Sequence, residues 1–172
     1  MLDTATRPDH TNAYRLGGLA LIIAVSVLAT ALGFEYLGGY APCPLCLMER
    51  YAYYAGIVLL FVAMALVAER PGLAALVFGA VALGFLVNAG LGVYHAGVEW
   101  HFWPGPDTCA TQLALPTTAG ELLKGLEDTR VVRCDEATWR LFGLSFAGWN
   151  AVISLGLFAI SLQAAFASSV KD

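Results

Sequence analysis

Apolar residues in this chain fall into four blocks separated by shorter polar stretches. The first, 16–34, reads LGGLALIIAVSVLATALGF. The second, 51–68, carries no charge, and the third, 73–94, is interrupted only by Asn88. The fourth runs from about 141 to 166 and contains Asn150 and Gln163. Crossing a bilayer takes roughly 20 residues of helix, and each block is close to or beyond that length. No alternating apolar and polar pattern is present, and a membrane barrel needs many strands, so the blocks are not barrel strands. A helix satisfies its own backbone hydrogen bonds in lipid. The pattern therefore predicts an all-α fold, a polytopic membrane four-helix bundle in a single domain. Its spans lie at about 16–34, 47–68, 73–95 and 141–166, and its two outer loops at about 35–46 and 96–140.

Span parity fixes how these loops relate. An even number of crossings puts both termini and the short ERPG turn, 69–72, on one side. Four residues can join only neighbouring antiparallel helices, and Pro71 and Gly72 suit such a turn. The other side receives both outer loops, and with them Cys43, Cys46, Cys109 and Cys134. Basic side chains do not choose the orientation. Arg7, Arg15, Arg70 and Lys171 lie on the terminal side, and Arg50, Lys124, Arg130, Arg133 and Arg140 on the cysteine side. Long loops weigh less in the positive-inside rule, which favours cytoplasmic termini. Cysteines that work as disulfides belong in an oxidising space such as the periplasm, which favours the same orientation. Ala29-Thr30-Ala31 resembles a signal cleavage site, but the first apolar run exceeds the 7–15 residues of a usual signal core. An uncleaved span is the expectation.

Composition agrees with a membrane chain. Of 172 residues, 59% are hydrophobic and 13% charged, where a soluble domain carries about 25% charged residues. The net charge of −4 decides little. There is no basic run and no nucleic-acid motif, no low-complexity segment, and no repeat beyond the helices.

Chemistry concentrates in the stretch YAPCPLCLMERYAYY, residues 40–54. A C-x-x-C pair serves as a zinc site, a redox disulfide or a static staple. Zinc wants a second close pair or histidines at similar spacing, and Cys109 and Cys134 are far apart in sequence. The context favours a redox pair and no metal. Pro44 suits the first position of a helix, which puts Cys43 near the cap and Cys46 in the first turn. Free backbone N–H groups there stabilise a thiolate. Arg50 lies one turn beyond Cys46 on the same face. It can favour the Cys46 thiolate and donate to a ligand's carbonyl oxygen, or it can snorkel to the interface, paired with Glu49 or Glu35.

His95 closes the third span in VYHAGVEWHFW. It is either an interfacial histidine or a proton donor to a ligand at the membrane face, oriented by Glu99. His101 reads as surface decoration. Trp100, Phe102 and Trp103 read as an interfacial aromatic belt or a pocket lining, and Tyr51, Tyr53 and Tyr54 share that ambiguity. In the second outer loop Thr118 and Glu121 form a possible capping box. Leu122, Leu123 and Leu126 then share a face, which suits either a helix on the membrane surface or one packed on the other loop.

Together these motifs resemble the disulfide bond formation protein B (DsbB) family of bacterial inner membranes, over nearly the whole chain. The likeness rests on the four spans, on CPLCLMER in the first outer loop, on YHAGVEW and WPGPDTC after span three, and on RCDEATW before span four. The resemblance implies a protein dithiol:quinone oxidoreductase. A DsbA-like periplasmic thioredoxin-fold partner would attack the Cys109–Cys134 disulfide through Cys109. Cys134 would exchange with Cys43, and Cys46 would be released as a thiolate beside a quinone, ubiquinone or menaquinone. Arg50 and His95, with Cys46, would form the quinone site. The sequence does not exclude the related DsbI branch, which can serve a dedicated partner rather than the general DsbA. Four cysteines allow three full pairings, and composition leaves the resting one open. Two rivals remain: a vitamin K epoxide reductase-like enzyme, whose active C-x-x-C usually lies late in the chain, and a non-catalytic membrane protein stapled by disulfides.

Overall fold

The computed structural model describes residues 10–106, Cys109 and residues 133–169. Four long helices dominate it: α1 (Thr11–Tyr36), α2 (Pro44–Leu66), α3 (Pro71–Glu99) and α4 (Phe146–Ser169). All four are long and apolar enough to cross a membrane, and they pack as a bundle. This is a multi-pass membrane protein of the predicted all-α class. The capping box at Thr118 and the helix it would start lie outside the described residues.

Small residues make up much of the bundle interior, around a few large buried ones such as Phe78, Phe85 and Leu60. Ala13, Ala20 and Ala24 of α1 are buried, as are Ala147, Ala151, Ser154, Ser161, Ala164 and Ser168 of α4. Ile22, Phe61, Leu76, Leu83, Val87 and Phe166 are exposed on the outer surface. Lipid is as apolar as leucine, so burying large side chains gains little in a membrane. Close backbone approach through small residues is what brings helices together. Helices α3 and α4 make the closest such pair. A Cβ added at Gly92 would lie 2.9 Å from the backbone nitrogen of Ala151.

Local signals set the helix ends. Pro44 and Pro71 each stand at a helix start, where the missing N–H leaves no bond unmade. The C-terminus of α3 closes as a Schellman motif. The His101 N–H donates to the Val98 carbonyl at 3.0 Å and the Phe102 N–H to the Gly97 carbonyl at 2.9 Å. His101 takes φ 58° to do so, so its position is a backbone requirement as well as surface decoration. Beyond it Trp100, Phe102 and Trp103 are exposed, as an interfacial belt would be.

The fourth apolar run begins at Leu141, but the helix does not. Residues 140–145 form a two-stranded antiparallel hairpin, β1 (Arg140–Leu141) and β2 (Leu144–Ser145). Phe142 (φ 50°) and Gly143 (φ 83°) occupy its turn, the positive-φ pair that matches strand twist in a two-residue hairpin. Ser145 then caps α4, its hydroxyl accepting from the Gly148 N–H at 3.2 Å. Trp149 ties the hairpin down by donating to the Leu141 carbonyl at 3.1 Å. Span four therefore starts at Phe146, because a turn and a cap outweigh continuous hydropathy.

A polar knot crosses the bundle interior. Tyr53 of α2 donates to Asn150 Oδ1 at 2.8 Å, and Asn88 of α3 donates to the same oxygen at 3.1 Å and to Ser154 at 3.0 Å. The asparagines that interrupt spans three and four are thus bonded to each other across α3 and α4. Such bonds hold membrane helices in register by about 0.6–2 kcal/mol each.

Candidate functional site

Cys43 is the N-cap of α2, and its sulfur accepts a hydrogen bond from the Cys46 N–H at 3.1 Å. The C-P-x-C spacing forces this arrangement. Extended backbone at Cys43 and Pro44 at the first helical position bring the N–H three residues on toward the cap side chain. Hydrogen bonding with the Cys46 thiol and then with its N–H holds the Cys43 thiol below the ordinary cysteine value, while burial opposes the shift. The helix start therefore favours a thiolate at Cys43.

Cys43 and Cys46 are free thiols, whereas Cys109 and Cys134 are joined as a disulfide. Cys43, Cys109 and Cys134 are buried in one apolar cluster with Leu45 and Val98, and Cys46 packs against it. The two pairs, distant in sequence, share one site at the end of the bundle where α2 begins and α3 ends. Cys109 is held there through its N–H, which donates to the Pro106 carbonyl at 2.8 Å. On the surface beside Cys134, Arg133 donates to both carboxylate oxygens of Asp135, at 3.0 and 2.7 Å.

His95 enters this site from α3. Its Nε2 lies 3.5 Å from the Cys43 sulfur, and its Nδ1 lies 2.9 Å from Glu49 Oε1. A carboxylate only accepts, so Nδ1–H donates and Nε2 is turned to the sulfur. Sequence reasoning assigned the orienting role to Glu99. That carboxylate is 4.0 Å from Nε2, beyond hydrogen-bond reach, and its Oε2 is buried without a partner. Glu49, on α2, is the residue that was missed. Its signal was available: a carboxylate three positions after Cys46 at the start of an apolar span.

A cavity of about 410 Å³ opens beside the C-x-x-C. Cys46, Glu49 and Arg50 line it on one side, and Phe34, Trp139 and Phe146 on another. Those three rings pack on one another with centroids 4.9–5.6 Å apart. Tyr53 and Asn150 reach the lining from the polar knot, and Asn150 Nδ2 is buried without a partner. His95 is not among the lining residues; it sits behind Cys43 and Glu49. Arg50 shares the cavity with Cys46 but is engaged by the Glu35 carboxylate and approaches the Ala31 carbonyl at 3.5 Å. Of the two sequence-based partners, Glu35 is the one realised. The cavity wall formed by Trp139 and Phe146 had no sequence signal, because it depends on the hairpin folding back.

This arrangement can do two things chemically. A sulfur pair at the cavity rim can exchange with a second pair in the same cluster. An apolar chamber with a guanidinium and an amide at its edge can hold a flat, oxygen-bearing molecule.

The family described as Disulfide bond formation protein DsbB matches residues 14–164. The chain is 32% identical to Disulfide bond formation protein B of Marinobacter nauticus over 162 residues, 83% of this chain and 89% of that one. It is also 32% identical to the protein of the same name from Methylococcus capsulatus over 166 residues, 91% and 94% of the two chains. A third, from Polaromonas naphthalenivorans, is 29% identical over 169 residues, 89% and 92% of the two chains. No solved structure gives a significant match. Four membrane-spanning helices, two cysteine pairs gathered at one end and these matches together place the chain in the DsbB family of disulfide bond formation proteins.

Proposed function

We propose that this protein oxidises a soluble thioredoxin-fold dithiol partner of the DsbA type and passes the electron pair to a membrane quinone. The observation that carries the reading is the shared buried cluster of Cys43, Cys109 and Cys134, with Cys46 packed on it and lining the cavity. Thiol–disulfide exchange moves two electrons at a time and needs a thiolate within reach of a disulfide. The packing of both sulfur pairs in one cluster supports such an exchange.

The residues fit a quinone on grounds of this structure. Phe34, Trp139 and Phe146 offer ring faces, and Asn150 presents a buried donor without a partner. Arg50 and Asn150 would hold carbonyl oxygens, with Cys46 at the rim. When bound, the quinone supplies a two-electron, two-proton acceptor.

The partner's attacking thiolate breaks the Cys109–Cys134 bond and forms a mixed disulfide, which the partner's second thiol resolves. The partner leaves oxidised and this pair becomes a dithiol. Exchange with a Cys43–Cys46 disulfide then restores Cys109–Cys134 and leaves Cys43 and Cys46 as thiols, as they stand here. Their reoxidation releases two electrons and two protons toward the cavity. His95 and Glu49 lie against Cys43, where a thiol proton must leave. Span parity puts both termini on one side and all four cysteines on the other; disulfide chemistry supports the cytoplasm for the termini and the periplasm for the cysteines.

The test is turnover. Purified protein, a reduced thioredoxin-fold partner and either ubiquinone or menaquinone should yield oxidised partner and quinol in equal amounts. Quinone left unreduced with every such partner would remove the proposal.

A further inference from the structure

Cys43 and Cys46 have a neighbour from another helix, His95 of α3. The sulfurs of Cys43 and Cys46 and a ring nitrogen of His95 all lie within 4.8 Å of one another. We infer that the dithiol form of this site binds a thiophilic divalent cation of the zinc class through Cys43, Cys46 and His95. The inference stands on donor geometry and holds whatever occupies the cavity.

Four observations support it. A tetrahedral zinc site, with bond lengths of about 2.3 Å to sulfur and 2.0–2.1 Å to nitrogen, leaves donors about 3.5–3.8 Å apart, and the three donors here lie within 4.8 Å of one another. Cys43 and His95 are already 3.5 Å apart. The imidazole presents Nε2 to the sulfurs while its other nitrogen is held by Glu49 at 2.9 Å. A carboxylate behind the ring is how metal-ligating histidines are commonly oriented. The Cys43 sulfur accepts the Cys46 N–H, a bond that stabilises a thiolate whether or not a cation is bound.

The fourth observation concerns charge. Glu49 and Glu99 are both buried beside His95, and among the described residues neither is paired with lysine or arginine; Arg50 is committed to Glu35. Among the described residues Glu99 Oε2 has no hydrogen-bond partner. A cation would compensate this acidic surround, and Glu99 Oε1 lies 4.0 Å from His95 Nε2. The donor set of two thiolates and an imidazole selects zinc-class ions over magnesium or calcium.

The site is redox-gated. Binding displaces protons from two thiols and transfers no electrons. A Cys43–Cys46 disulfide has no thiolates and cannot bind. Occupancy therefore holds the pair reduced and stops the exchange proposed above.

Cobalt is the probe, since thiolate ligation gives it a charge-transfer band and a tetrahedral field gives intense visible bands. The background is full-length protein carrying Cys109→Ser and Cys134→Ser, so that only one dithiol remains. After reduction with a phosphine and its removal, one equivalent of cobalt should give both signatures, and zinc should displace it. The same protein oxidised at Cys43–Cys46 should give neither, a comparison that needs no further variant. His95→Ala should weaken binding at least tenfold and Glu49→Gln by about 10–100-fold. Absence of the thiolate band in the reduced protein, or unchanged affinity in His95→Ala with its helical fold intact, would overturn the inference.

Discussion

Glu49 and His95 come from different helices and meet at 2.9 Å, with both side chains buried. This contact joins α2 to α3 where the C-x-x-C begins, and it sets the direction of the imidazole. Each residue leaves the other without its hydrogen-bond partner when removed, which is costly in a buried site. His95→Ala and Glu49→Leu should each lower thermal stability in detergent. The double variant should lose less than the sum, with a coupling of about 1–3 kcal/mol. Additive losses would mean that the pair contributes nothing as a pair.

In the proposed quinone site, Arg50 would bear on ligand affinity more than on thiol exchange. It lines the cavity, and Glu35 fixes it there. A charge-assisted hydrogen bond is worth about 1.5–3 kcal/mol, so Arg50→Ala should raise KM for quinone about tenfold or more. KM for the protein partner should stay nearly constant. Glu35→Gln should act in the same direction but more weakly, since it loosens the guanidinium without deleting it. Equal effects of Arg50→Ala on both substrates would remove it from the quinone site.

The Cys43 thiol is held below its ordinary value, chiefly by the hydrogen bond with the Cys46 thiol. A thiol depressed on folding contributes stability above its unfolded pKa, and that contribution is lost as pH falls through the lower folded pKa. The reduced protein should therefore gain stability as pH rises across that window. In a variant lacking the other three cysteines' reactivity by serine replacement at Cys109 and Cys134 and alanine at Cys46, alkylation of Cys43 should shift to higher pH. With Cys46 intact, its half-maximal pH should lie below that of a free cysteine peptide.

Packing at Gly92 leaves no room for a side chain. An added Cβ would meet backbone atoms of Ala147 and Ala151 at 2.9–3.1 Å, and backbone cannot step aside as a side-chain tip can. Gly92→Ala should destabilise the bundle by about 1–3 kcal/mol, read as a lower unfolding midpoint in detergent. At Gly18, where nothing lies within 4 Å, the same change should be neutral or slightly stabilising.

Phe142 holds φ 50° in the hairpin that walls the cavity. A left-handed conformation costs a non-glycine residue about 1–2 kcal/mol. Phe142 is also fully outside the core, being highly exposed. Phe142→Gly should therefore keep the hairpin and leave quinone KM unchanged, whereas Gly143→Val should disturb the turn and raise that KM.

The four helices were legible because hydropathy is a local property and bilayer thickness sets the length to look for. Cys43 as cap and Cys46 in the first turn were legible because Pro44 fixes a helix start by its own chemistry. The start of α4 was not, since Leu141 and Phe142 are as apolar as the helix that follows. Only the turn at Phe142–Gly143 and the cap at Ser145 separate them. Glu99 drew attention as the partner of His95 because it lies four residues along the same helix. The true partner, Glu49, lies 46 positions away, and nothing local connects it to an imidazole.

By itself the sequence determined that this chain crosses a membrane in four helices and that its cysteines share one side. Those conclusions follow from the length of each apolar run and from parity, which no packing detail can change. The tertiary structure alone decided that Cys43, Cys109 and Cys134 share one buried cluster, that Glu49 orients His95, and that Trp139 and Phe146 close a cavity over Cys46. Those contacts join residues far apart along the chain. Helix packing through small residues such as Gly92 and Ala151 sets their distances, and that information is not carried by any single stretch of sequence.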